Sequence, residues 1–140
     1  MRLLFTFLIT ILSFFGYTQE GIKIEQMVPI YNGFDGYQTV YQYENKEFSF
    51  MYRNDDYQVT TQFEYIYFKN LAELVEFFEI IVEVSETGKQ YSIEINGQCY
   101  RMEQFSKGVY IFPSTGYFTV RKKHAQGFLN FVQNEILNKN

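Results

Sequence analysis

The sequence predicts an α+β domain: an antiparallel meander sheet, in the order β-β-β-α-β-β-β-β-α, with two amphipathic helices packed on one face. Three observations carry that expectation. From Tyr37 onward, apolar and aromatic side chains recur with a period of two. At Asn70 the period becomes 3.6 and holds until Gly88. Asn96-Gly97 stands between two alternating runs, the strongest short hairpin signal.

The chain opens MRLLFTFLITILSFFGYTQE. Arg2 precedes an apolar run from Leu3 to Phe15, and Gly16 and Thr18 offer small residues beyond it. The run is short of the roughly 20 residues a spanning helix needs, so residues 1–18 are expected to be a signal peptide cleaved after Thr18. The competing expectation is an uncleaved membrane anchor. No cysteine follows the apolar core, which excludes a lipoprotein anchor. The expected location is exported: periplasmic, cell-surface or secreted.

Residues 19–36 read as an irregular N-terminal arm with room for one edge strand. Pro29 interrupts its weak alternation, and Asn32-Gly33 and Asp35-Gly36 are turn pairs. The remaining 37–140 form a single α+β domain. Its first strands are Tyr37–Tyr43, Phe48–Arg53 and Tyr57–Phe68, joined by the polar turns Glu44–Glu47 and Asn54–Asp56. The helix that follows has Asn70 as N-cap with Glu73 three residues on, a capping box apart from the Ser/Thr. It runs to about Glu86 and stops at Gly88, suited to a left-handed C-cap. Leu71, Leu74, Phe77, Phe78, Ile81, Val82 and Val84 make its apolar side.

Two hairpins come next. The Asn96-Gly97 turn pairs Ile95 with Gln98, Glu94 with Cys99, Ile93 with Tyr100 and Ser92 with Arg101. In the second, Gly116 suits the left-handed position of a three-residue loop, which would place Tyr110, Phe112, Phe118 and Val120 on one face. A final helix is expected from Ala125 to Leu137, with Ala125, Phe128, Leu129, Val132 and Ile136 as its stripe. No repeat at a fixed period and no linker divides the chain.

Without residues 1–18, 11 Lys and Arg stand against 16 Asp and Glu, a net charge of −5. That balance argues against nucleic acid and anionic membrane as partners, and a membrane enters only if the N-terminal segment stays uncleaved. A lone cysteine allows no internal disulfide. A zinc site needs about four ligands, usually with close-spaced pairs, and His124 and Cys99 stand alone, so no metal and no cofactor is expected. G-x-S-x-G, P-loop and G-x-G-x-x-G motifs are absent, and no catalytic residue is assigned. Cys99 points away from Ile93 and Ile95, opposite Glu94, a poor setting for a nucleophile. Disulfide-linked dimerisation is its one functional reading.

Two candidate binding surfaces remain. Glu73, Glu76, Glu79, Glu83 and Glu86 share one side of the first helix with no Lys at three- or four-residue spacing within it, so they repel one another. A basic partner would relieve that repulsion. The plainer account is a solvated face met by Arg121, Lys122 and Lys123. Tyr37, Tyr41 and Tyr43, with Tyr65 and Tyr67, suit a stacking platform for sugar or peptide, although strand aromatics more often form core or cross-strand pairs. The chain's 16 Phe and 13 Tyr beside two Ala and two Pro also fit AT-rich coding. The leading expectation is therefore a non-catalytic exported domain that binds a protein or glycan partner, in an envelope or surface assembly or as an inhibitor or immunity-type protein. The alternatives are a hydrolase with carboxylates in a tyrosine-lined cleft and a carrier of small apolar ligands.

Overall fold

The computed structural model describes residues 26–35, 37–56 and 62–138. The expected signal peptide, and Tyr57–Thr61 of the expected third strand, lie outside them. The order of elements is β1 (Met27–Tyr31), β2 (Thr39–Tyr43), β3 (Phe48–Arg53), β4 (Phe63–Phe68), α1 (Leu71–Thr87), β5 (Tyr91–Ile95), β6 (Gln98–Phe105), β7 (Gly108–Phe112), β8 (Phe118–Arg121) and α2 (Lys122–Phe131). A π-helical turn over Val132–Leu137 continues α2. The α+β class and antiparallel pairing are as the alternation implies. Where one sheet was expected, the strands form two, β1-β2-β3-β4 and β5-β6-β7-β8. The arm contributes the edge strand β1, paired with β2 despite Pro29 because an edge strand can dispense with one N–H. The chain thus runs four strands and a helix twice over, a repetition of elements without a period in the residues.

Local chemistry explains α1. The Asn70 side chain accepts from the Glu73 N–H at 2.9 Å, and the Glu73 carboxylate accepts from the Lys69 N–H at 2.9 Å. Gly88 closes the helix at φ 68°, and its N–H donates to the Val84 carbonyl. Leu74, Phe77, Phe78, Ile80, Ile81 and Val84 are buried, more than one face of a surface helix requires. The extra burial arises because α1 packs against β6, β7 and α2 while Phe77 and Phe78 also meet Phe68 and Phe50 of the first sheet, at 5.4 and 5.3 Å between ring centroids.

The inner faces are Val40, Phe48, Phe50, Tyr52, Ile66 and Phe68 on the first sheet, and Tyr100, Met102, Val109, Ile111, Phe118 and Val120 on the second. They meet where Tyr52 stacks on Phe118 at 3.9 Å. The Asn96-Gly97 hairpin has the expected register, with φ of 51° and 78° at its two turn residues. The next hairpin does not. Ile111 pairs with Phe118 and Val109 with Val120, so Phe118 and Val120 face the core while Tyr110 and Phe112 face out. The connection holds one residue more than a three-residue loop allows, and a one-residue slip turns every side chain to the other face. The last helix starts at Lys122, ahead of the expected Ala125, where the Lys122 N–H donates to the Lys107 carbonyl at 3.0 Å. Ala125, Phe128 and Val132 are buried as the stripe implies. No described helix is long and apolar enough to cross a membrane.

Candidate functional site

The tyrosines gather on the outer face of the first sheet. Directly paired residues share a face, so the pairing of Tyr41 with Ser49 and Ser49 with Tyr67 puts these three together. Met51 with Tyr65, and Arg53 with Phe63, extend the same surface. Ring centroids lie 6.5 Å apart for Tyr41 and Tyr65, 6.3 Å for Tyr43 and Tyr67, and 6.2 Å for Tyr65 and Tyr67. Tyr37 meets Phe63 edge to face at 5.5 Å, with the Arg53 guanidinium 5.8 Å from its ring centroid. Tyr41 with Tyr65 and Tyr43 with Tyr67 reach between strands, Tyr65 and Tyr67 are neighbours on β4, and all of them lie outside the core. Tyr37 and Tyr67 are more than half exposed, and Tyr41, Tyr43 and Tyr65 are half-buried by each other. The Tyr43 and Ser49 hydroxyls are hydrogen-bonded at 3.2 Å. Partial burial, then the neighbouring tyrosines, raise the Tyr65 and Tyr67 hydroxyls and keep them neutral. Arg53 is the one charged side chain among these residues.

The glutamates of α1 do not act as one group. Glu73 serves the cap, and Glu86 pairs with Lys122 at 2.9 Å. Glu76, Glu79 and Glu83 are exposed and have no ion-pair partner among the described residues. Of the cations considered for this face, Lys122 reaches it, while Arg121 goes to Asp35 at 3.0 Å.

Cys99 is exposed and faces Glu94 across the hairpin. The His124 side chain is nine-tenths buried, with its ring 6.5 Å from that of Phe34 and Nε2 3.5 Å from Asp35 Oδ1. Its Nδ1 has no hydrogen-bond partner, and burial lowers its pKa against the pull of Asp35. Nothing among the described residues joins it to Cys99, and no group of three or more His, Cys, Asp or Glu among them is placed to hold a metal.

Two arrangements escaped the sequence reading because each joins distant residues. The first is a polar clamp between the sheets. Buried Asn54 donates to Glu64 Oε1 at 3.2 Å and to the Thr115 carbonyl at 3.3 Å, and accepts from the Asp56 and Tyr117 N–H groups. The Tyr52 hydroxyl donates to Glu64 Oε2 at 2.7 Å. Gly116, at φ 74°, lies against the Asn54 amide, where a Cβ would collide. The second is a cleft of about 190 Å³ lined by Asp35, Tyr37, Gln38, Arg53, Asp55, Thr119 and Arg121. The sequence offers for it only opposite charges flanking turn pairs. Burial raises the Asp55 carboxyl, opposed by Arg53. Compared with known proteins, the chain matches no family model, no curated protein and no solved structure.

Proposed function

We propose that this is an exported, non-catalytic domain that captures a macromolecular partner, a protein or a glycan, on the outer face of its first sheet. One observation supports the reading above the others: Tyr37, Tyr41, Tyr43, Tyr65 and Tyr67 form a broad, largely neutral aromatic surface that the rest of the described chain leaves uncovered. Tyrosine rings offer large rigid contact area with polar tips, a chemistry enriched at recognition surfaces. Glu76, Glu79 and Glu83, which have no ion-pair partner among the described residues, lie on α1 and would steer a basic partner.

The carrier alternative needs space between sheets and helices, and Phe50, Phe77, Phe78, Phe118 and Phe128 occupy it. The test is retention of the domain on immobilised cell-envelope proteins and neutral polysaccharides, comparing the native chain with a Tyr41→Ala/Tyr65→Ala/Tyr67→Ala variant. The variant should lose retention by at least about tenfold, the loss of two or more stacking contacts. Undiminished retention by a variant that still melts cooperatively removes the reading.

A further inference from the structure

The cleft at the seam of the two sheets is built from two ion pairs of unequal quality. Arg121 Nε lies 3.0 Å from Asp35 Oδ2, within hydrogen-bond distance, and His124 also approaches Asp35. Arg53 and Asp55 stand 3.8 Å apart, too far for a hydrogen bond. Among the described residues the Asp55 carboxylate accepts no hydrogen bond, and the Arg53 guanidinium has no other ion-pair partner. Asp55 is partly buried and Arg53 is exposed, so the two opposite charges face the cleft side by side without a hydrogen bond between them.

The cleft is held by the seam itself. The Gln38 side chain donates to the Thr119 carbonyl at 2.6 Å, and the Asp55 N–H donates to the Tyr117 carbonyl at 2.8 Å. Its cation and anion are therefore held near each other before any ligand arrives. An isolated anion would meet Asp55 and an isolated cation would meet Arg53. A small molecule carrying both charges close together satisfies both.

We infer that the cleft binds an α-amino-carboxylate head, its ammonium received by Asp55 and its carboxylate by Arg53, with the Tyr37 ring as a side wall. About 190 Å³ suits a head of this size and a short side chain. The cleft borders the tyrosine face and shares Tyr37 and Arg53 with it, but the assignment rests on the Arg53 and Asp55 charges and not on the tyrosine rings. The head can come from a free amino acid or stand at the end of a longer chain.

The test is titration of the domain with alanine and with Nε-acetyl-lysine, followed by amide chemical shifts. Saturable shifts at residues lining the cleft are expected, weakened about tenfold or more by Asp55→Asn and by Arg53→Gln, the loss of one charge-assisted hydrogen bond. Equal affinity for the two ligands assigns free amino acids. Tenfold preference for the acylated lysine assigns a head presented on a chain. Binding should also weaken as pH falls and Asp55 takes up a proton, with Arg53, Asp56, Asp35 and Arg121 as the surrounding charges. The ligand's own carboxyl is more acidic and stays ionised. No saturable shift up to about 10 mM, or acetate or methylammonium alone binding as tightly as alanine, overturns the inference. So does an Asp55→Asn variant of native fold that binds unchanged.

Discussion

The two four-stranded meanders share strand order and inner chemistry, yet their outer faces are organised differently. On the first, Tyr41, Tyr43, Tyr65 and Tyr67 lean on one another and on Ser49 and Met51, with charge only at the Arg53 end. On the second, Phe105, Tyr110, Phe112 and Tyr117 also cluster, with 4.9 Å between the Phe105 and Tyr110 centroids. There Arg101 lies 4.7 Å over the Phe112 ring and pairs with Glu103 at 3.3 Å. Aromatic side chains on a strand are therefore not by themselves a binding surface. On the second sheet Arg101 already covers the Phe112 ring and is held by Glu103, while on the first the Tyr41, Tyr43, Tyr65 and Tyr67 rings meet no cation among the described residues.

The largest effect should come from the contact that joins the meanders. Phe118→Ala removes the stack on Tyr52 from a fully buried site and should lower unfolding free energy by about 3–5 kcal/mol in urea. Phe112→Ala, on the outer face of the same sheet, should lose less than about 1 kcal/mol. Equal losses would show that the inner faces are not what unites the two halves.

Next comes an alkaline test with one reporter from each inner face. Burial, with Glu64 adding to it, pushes the Tyr100 hydroxyl up to about 12 and the Tyr52 hydroxyl well above its ordinary value. The unfolded chain releases these protons near pH 10, so above that pH the folded state holds more protons than the unfolded one. Their contribution is whole below pH 10 and is lost as pH rises, by about 1.4 kcal/mol per pH unit for each. Replacing Tyr100 by Phe should reduce that slope by one such increment. An unchanged slope would mean that the hydroxyl is not sequestered.

The smallest effects separate the outer faces directly. Tyr65→Ser with Tyr67→Ser should cost about 1–2 kcal/mol, nearly independent of salt. Arg101→Ala should cost about 0.5–1 kcal/mol in dilute buffer and less at about 1 M salt, where the exposed pair is screened. A salt-sensitive tyrosine face would remove the distinction between the sheets.

Legibility followed the range of the interactions. The caps of α1 and the turn at Asn96-Gly97 are settled within four residues, and both appear where the sequence places them. The Tyr110–Val120 hairpin takes a register one residue away from that implied by Gly116, because its loop carries one more residue than the turn residues alone reveal. For the candidate surfaces, alternation identified which tyrosines share a face but not whether that face looks inward. The acid stripe was visible as a stripe, although Glu86 finds its partner in Lys122 of the other helix.

By itself, then, the sequence determined the α+β class, the element order after the arm, the caps of α1 and the hairpin register around Cys99. These depend on backbone preferences and nearest-neighbour side chains. Only the tertiary structure decided that the strands divide into two sheets, which aromatic face stays outside, and that Asn54 reaches Thr115 while Asp35 reaches Arg121. Periodicity says that a face must be covered, and the covering partner is chosen by packing between residues far apart in the chain.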